Sequence, residues 1–441
     1  MAKGETVRGS NWSDVFEAFD LLDAIKRDGF VDITAKQFHQ LHLQPRLMTK
    51  MDHSHQVPKV FTDNGLSLLT RGFDTWRIGT FEIFQALPEW TLPSADVTNL
   101  TIPSYIETLD VTNITGEPGV INAAHAAGLL TDFAGEEQTL TVGGRMRTGD
   151  FTFSVKDYVR GTTEIPVSKA QIEIDAGFES PSAFTIYEIK NHLSRDFCAR
   201  QLFYPYRTWL SRLPKKPIRT VFLTLANDVY DVHEFQFTDP MNYSSAELIK
   251  HKRYTIGITR PTEAEIVSRA RRVIDAEPQR PATTVPFPQA DDFERVMDFV
   301  SLLTEEPRTV EDLALLHDIH QRQGDYYQNA ARYLGLAETV QAEDGREYLQ
   351  ATSLAREILK LPYREKNLRY ADLLLNIKPL AETYFEWVKT GSRPSIDWIA
   401  DVFDRSPFAV THKGEKLSES TVRRRAQTIA AWAGWLRAVA E

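Results

Sequence analysis

Apolar residues recur at helical spacing early in the chain. In WSDVFEAFDLLDAIKRDGF (12–30), Val15, Phe16, Phe19, Leu22 and Ile25 form one stripe, predicting an amphipathic helix capped by Ser13 or Asp14. ITAKQFHQLH (33–42) predicts a second, shorter helix, so the two resemble a helix-turn-helix pair, with loops and strands following to residue 87. From about residue 101 the period shortens. GVINAAHAAGLLTDFA (119–134) reads as a helix and TLTVGGRMRTGDFTFSV (139–155) as two strands about a Gly-rich turn. KAQIEIDAGF (169–178) and FTIYEIKN (184–191) are further strands, DFCARQLFYPYRTWLSRL (196–213) is a helix interrupted at Pro205, and IRTVFLTLAN (218–227) is a buried strand. This order predicts a small α/β layer structure.

Prolines and small polar residues in AEPQRPATTVPFPQADD mark a linker at 276–292. Beyond it, DDFERVMDFVSLLT, TVEDLALLHDIH and GDYYQNAARYLGL predict three helices, followed by a hairpin turning at Glu343-Asp344-Gly345. That is the layout of a winged helix. A final helix, SESTVRRRAQTIAAWAGWLRAV, has Ser418 or Ser420 as its cap. The expected domains are therefore an N-terminal recognition domain at 1–100, a catalytic domain at 101–275, a winged-helix-like domain at 293–360 and a C-terminal helical domain at 361–441 that binds DNA or dimerises.

Composition narrows the class. With 42% hydrophobic and 25% charged residues over 441 positions, the chain has the profile of a multidomain globular protein. No apolar run is long enough to span a bilayer and no apolar segment follows MAKGETVRGS, so neither secretion nor membrane association is expected. The single cysteine, Cys198, excludes an intrachain disulfide and a zinc finger and fits a reducing cytoplasm. A net charge of -10 argues against coating nucleic acid by bulk charge. Basic stretches at 200–219 and 421–427 leave room for local positive surfaces.

The candidate chemistry lies in QIEIDAGF and TIYEIKN. Residues two apart on a strand face the same way, so Glu188 and Lys190 project from one face. If the two strands pair antiparallel, Asp175 comes beside Glu188. Converging carboxylates are costly without a cation, and hard oxygen donors select Mg²⁺. Lys190 can then orient or polarise an attacking water. Acids alternating with isoleucine are also what a solvated strand face looks like, and E-x-K alone occurs by chance. The apolar remainder of FTIYEIKN, the Asp on the preceding strand and the basic-aromatic helix that follows favour the catalytic reading.

IEID, a twelve-residue spacer, EIK and the RQLFYPYR helix together resemble the PD-(D/E)xK nuclease superfamily, and in particular prokaryotic type II restriction endonucleases with winged-helix domains. The resemblance implies an α/β PD-(D/E)xK core with additional mainly α-helical, winged-helix-like domains. It also implies a Mg²⁺-dependent phosphodiester hydrolase acting on double-stranded DNA, with Asp175 and Glu188 as metal ligands and Lys190 as the catalytic lysine. Ile174 stands where the family has proline. Glu117 occupies the region where such nucleases place an extra acid on the first helix of the core, although a helix-start carboxylate serves the dipole equally. Glu173 is a second ligand or a surface acid, and Gln201 resembles the glutamine that follows the E-x-K strand in this superfamily.

Base readout needs further groups. Arg46, Lys50 and His53 in PRLMTKMDHSHQVPK, Arg145 and Arg147 in GGRMRTGD, and Arg200 and Arg207 in RQLFYPYR are candidate DNA contacts. Arg322, Gln323, Tyr326 and Asn329 sit at the recognition position of the winged-helix candidate, and Arg423 and Arg424 are candidate phosphate contacts. Two strands to cut make a homodimer the economical assembly. The alternatives are an endonuclease dependent on base modification and a non-catalytic DNA-binding regulator with a dead nuclease core.

Overall fold

The computed structural model describes residues 7–88, 97–112, 114, 116–276, 285–304, 307–310, 313, 321–341, 347–410 and 415–440. The chain forms two compact units that do not follow chain order. The first comprises 1–89, 115–225 and 230–253, and the second 90–114, 226–229 and 254–441. Residues expected to form a separate N-terminal domain thus share a unit with the strands that carry Asp175, Glu188 and Lys190.

The first unit begins with α1 (Val7–Ala18) and α2 (Leu21–Asp28). The single long helix expected here is broken at Asp20, whose φ of 49° is left-handed and cannot continue a right-handed helix. Gly29, at φ 83°, ends α2, and β1 (Phe30–Thr34) intervenes before α3 (Ala35–Gln40). The expected helix-turn-helix pair is therefore interrupted by a strand, since FVDIT is β-branched and aromatic and pairs antiparallel with β3. Thr34 and Gln37 close a capping box on α3. After α4 (Pro45–Thr49) and α5 (Lys59–Thr62), β2 (Ser67–Thr70) and β3 (Thr75–Gly79) complete a sheet of order β1-β3-β2. Trp12, Phe16, Phe38 and Phe61 pack beneath it in one aromatic core.

After β4 (Phe84–Ala86), strand β5 (Val97–Leu100) belongs to the second unit. The helix expected over 119–134 is divided at Gly128, φ 75°, into α6 (Gly116–Ala126) and α7 (Leu129–Ala134). The next strands are β6 (Thr139–Arg147), β7 (Asp150–Asp157), β8 (Gly161–Ser168), β9 (Gln171–Glu179), β10 (Phe184–Lys190) and β11 (Asp196–Cys198). Then come α8 (Arg200–Arg212), β12 (Ile218–Ala226), β13 (Val229–Phe237) and β14 (Ala246–Ile256). The two strands expected about the Gly-rich turn do not pair with each other: β6 pairs with β9 and β7 with β8.

The main sheet is mixed and includes the order β14-β13-β12-β10-β9-β6, with β10 antiparallel to β9 and parallel to β12. Central placement explains why every residue of FTIYEIK is buried. Helix α8 runs unbroken through Pro205, where an interruption was expected. A proline inside a helix forfeits one hydrogen bond to the carbonyl four residues back, here that of Gln201. Burial of Leu202, Phe203, Tyr204 and Tyr206 against the sheet holds the helix regardless.

The second unit is mainly helical. Helices Phe293–Leu302, Gln321–Tyr333, Tyr363–Leu375, Lys378–Thr390 and Glu419–Val439 pack around one core, and β15 (Ala337–Gln341) pairs antiparallel with β16 (Glu347–Ala351). The turn expected at Glu343-Asp344-Gly345, most of the helix expected over 309–320 and part of the linker at 276–292 lie outside the described residues. Among the described residues no helix is long and apolar enough to cross a membrane.

Candidate active site

Alternation along β9 buries Ile172, Ile174, Ala176 and Phe178 while Gln171 and Glu173 stay exposed. Its ladder with β10 pairs Phe184 with Glu179 and Tyr187 with Ala176. The next step along that register sets Asp175 beside Glu188. There the Asp175 carboxylate takes over from the ladder: Ile189 N–H donates to its Oδ2 at 2.8 Å.

Glu188 and Lys190, two apart on β10, share a face, and Lys190 Nζ donates to Glu188 Oε1 at 2.7 Å. The same ammonium donates to Glu117 Oε1 at 3.1 Å and to the Ile189 carbonyl at 2.7 Å. Glu117 comes from the first turn of α6. Gln201, in the first turn of α8, donates its side-chain N–H to Glu188 Oε1. Asp175, Glu188, Lys190, Glu117 and Gln201 therefore meet at one point, on two adjacent strands and two helix starts.

The local electrostatics is unbalanced. Three acids surround one lysine, and Glu188 and Lys190 are nearly sealed from solvent. Burial pushes the Asp175 carboxyl up to about 6, opposed by Lys190 and reinforced by Glu117. Burial likewise pushes Glu188 up to about 8 against the pull of Lys190. For Lys190 burial disfavours the charge, but Glu188, Glu117 and Asp175 outweigh it and hold the ammonium above its ordinary value. Carboxylates in this condition gain from a further cation, and their oxygen donors suit a hard divalent ion such as Mg²⁺. Asp175 and Glu188, with Glu117 beside them, are the residues that could hold one.

These groups line a cleft of about 660 Å³ that also takes in Arg46, Lys50, Arg145 and Arg200. Arg46 and Lys50 are exposed on its wall. Arg145 faces Glu173 across the β6–β9 ladder and pairs with it at 3.2 Å, which places Glu173 in a half-exposed ion pair on the cleft. Arg147 is exposed beside a neighbouring depression, its guanidinium 4.7 Å from the ring centre of Phe73. Arg200 is committed internally to Asp52, at 3.2 Å.

Two expected DNA contacts are placed elsewhere. His53 is 3% exposed and its Nδ1 sits 2.6 Å from the Asp196 carbonyl, while burial takes the imidazole down to about 4. Arg207 donates to the Pro240 carbonyl at 2.6 Å and lies over the Phe151 ring, away from the cleft lining. Packing of the 45–61 segment onto β11 turns His53 inward, which its polar neighbours do not disclose. In the second unit, helix Gln321–Tyr333 carries Tyr326 and Asn329, both half-buried; the side chains of Arg322 and Gln323 lie outside the described residues. Arg423 pairs with Asp397 and Arg424 is exposed.

Asp52 was not anticipated. It lines the cleft and lies within 3.9 Å of Lys50 as well as holding Arg200. Its partner on α8 is 148 residues away, so no local pattern points to it.

The fold and site define a multidomain, mixed α/β protein with an acidic, lysine-containing cleft. Residues 10–78, 79–255 and 295–441 match three protein families, each described as a domain of unknown function, DUF6996, DUF6997 and DUF7226 in that order. No curated protein and no solved structure matches the chain.

Proposed function

We propose that the protein is a Mg²⁺-dependent endonuclease of PD-(D/E)xK type that hydrolyses phosphodiesters in double-stranded DNA at specific sites, as type II restriction enzymes do, and that it acts as a homodimer in the cytoplasm. The observation that carries this reading is the convergence of Asp175, Glu188 and Glu117 around Lys190 in a cleft whose wall presents Arg46, Lys50 and Arg145. A phosphodiester is anionic, and so is this centre, so substrate approach requires a divalent cation as well as the basic wall. Asp175, Glu188 and Glu117 would hold Mg²⁺, which would supply positive charge for the phosphate oxygens and acidify the attacking water.

Each side chain has a defined part. Lys190 spends its three N–H donors on Glu188, Glu117 and the Ile189 carbonyl, and release of Glu117 frees one of them to hold a water or a phosphate oxygen as negative charge builds at phosphorus. Gln201 fixes Glu188 Oε1, and Ile189 N–H fixes Asp175. Arg46, Lys50 and Arg145 hold the DNA backbone by charge. The test is incubation of plasmid and genomic DNA, unmethylated and methylated, with Mg²⁺ or Mn²⁺. Discrete fragments are expected. Cleavage of methylated DNA alone would replace this reading with a modification-dependent enzyme, and no cleavage in any state would leave a DNA-binding regulator.

A further inference from the structure

Away from the cleft, two histidines and an aspartate meet on β13 and β14, which are neighbours in the sheet. Asp231 and His233 are two apart on β13 and face the same way, as do His251 and Arg253 on β14. His251 Nε2 lies 2.5 Å from Asp231 Oδ1, and His233 Nε2 lies 3.7 Å from the same oxygen. The two imidazoles stack nearly parallel, 4.4 Å between centres and 7° between planes. One donor atom from each of the three residues falls within 4.8 Å of the others.

His233 is the informative member. It is 2% exposed, and although the Phe222 backbone lies within reach of the ring, neither nitrogen makes a hydrogen bond of ordinary geometry. A neutral imidazole carries one donor and one acceptor, and burying either without a well-formed partner is costly. Interiors rarely tolerate this unless water or an ion completes the group. Here the unpartnered nitrogen is aimed at a carboxylate that a second imidazole already touches.

We infer that Asp231, His233 and His251 form a second cation site that takes a divalent ion of the zinc class. Two imidazole nitrogens and one carboxylate oxygen suit Zn²⁺ or Co²⁺ far better than Mg²⁺, which prefers oxygen. The site thus differs in chemistry from the all-carboxylate set in the cleft and does not rest on the nuclease reading. A tetrahedral ion with bonds of about 2.0–2.1 Å fits the three donors once the His251–Asp231 hydrogen bond opens and the His251 ring turns out of its stack on His233, because parallel rings cannot aim in-plane lone pairs at one ion. Arg253, whose Nε is 3.3 Å from Asp231 Oδ1, gives up that contact to the ion. His251, at 30% side-chain exposure, is the open edge through which the ion enters and a water completes the coordination. The bound ion ties β13 to β14.

The test uses the full chain, stripped with chelator and then titrated with Co²⁺ in excess Mg²⁺, which keeps the carboxylate centre occupied. One equivalent of Co²⁺ with tetrahedral visible absorption bands is expected, together with a rise in Tm. His251→Gln, at the open edge, should keep the wild-type circular dichroism spectrum and lose the bands, whereas Asp175→Asn should retain them. Absence of Mg²⁺-resistant Co²⁺ binding in the wild type would overturn the inference, leaving Asp231 as an ordinary ion-pair partner of His251 and Arg253. So would undiminished binding by both His251→Gln and Asp231→Asn.

Discussion

Lys190 Nζ and Glu188 Oε1 lie 2.7 Å apart on the same face of β10, and Glu117 shares the ammonium from α6 at 3.1 Å. One lysine therefore neutralises parts of two acids while Asp175 stands by, and its removal should have separable effects. Lys190→Met leaves the carboxylates facing one another, and loss of one partner of a buried pair costs about 3–5 kcal/mol of stability without metal. Mg²⁺ should raise the Tm of this variant by more than it raises that of the wild type, while cleavage disappears and DNA binding remains. Thermal shifts with and without Mg²⁺, beside gel shifts on the same DNA, check this; equal Mg²⁺ responses would dissociate Lys190 from the cation.

Gln201 donates to Glu188 Oε1, and in the proposed nuclease it acts through that carboxylate as a positioning residue. Loss of a group that orients a ligand typically costs about 10–100-fold in affinity or activity. For Gln201→Ala the loss should fall on kcat, with KM for DNA little changed and the Mg²⁺ dependence shifted to higher concentration. Steady-state kinetics across Mg²⁺ concentrations decides, since a merely structural role would leave that dependence unmoved.

In the second unit Glu294 is buried, and this pushes its carboxyl from 4.5 up to about 8 although Trp435 Nε1 donates to it at 2.8 Å and Asn227 also contacts it. An acid whose folded-state value is raised holds its proton more tightly when folded. Its stabilising contribution is full below its ordinary value and is lost as pH rises through the folded value. The wild type should therefore lose stability between about pH 5 and about pH 9, and Glu294→Gln, which cannot ionise, should lose less over that range. Chemical denaturation at several pH values measures this; parallel curves for the two proteins would contradict it.

Trp12 is fully buried, donates from Nε1 to the Met48 carbonyl at 3.0 Å and meets Phe61 edge-on at 4.7 Å. Trp12→Ala should cost about 3–5 kcal/mol through the cavity it leaves. Because this core belongs to the same unit as the cleft, the variant's cleavage should fail at a lower temperature than that of the wild type.

The period-two pattern of QIEID and YEIK was enough to place Glu188 and Lys190 on one face, because strand alternation is local. Asp175 joined them only through antiparallel pairing, which depends on the register shown by Tyr187 and Ala176. Longer-range relations left little local trace. Asp52 with Arg200, and His53 under the Asp196 carbonyl, arise from packing between segments more than 140 residues apart, as the separations of 148 and 143 show. The break at Asp20 was hidden because a left-handed aspartate carries no marker in an otherwise periodic stripe. Pro205 misled in the opposite sense, because buried aromatic contacts outweighed a local helix breaker. DVH and HKR carry no local signal, since only the adjacency of β13 and β14 gives their alternation a meaning.

The most direct test compares wild type with Asp175→Asn on supercoiled plasmid DNA at equal protein concentration, with Mg²⁺ and with chelator. The wild type should yield discrete fragments only with Mg²⁺. Asp175→Asn should bind the same DNA and cut it at least about 100-fold more slowly. Undiminished cleavage by Asp175→Asn, or cleavage in chelator, would place the chemistry outside the Asp175, Glu188 and Lys190 centre.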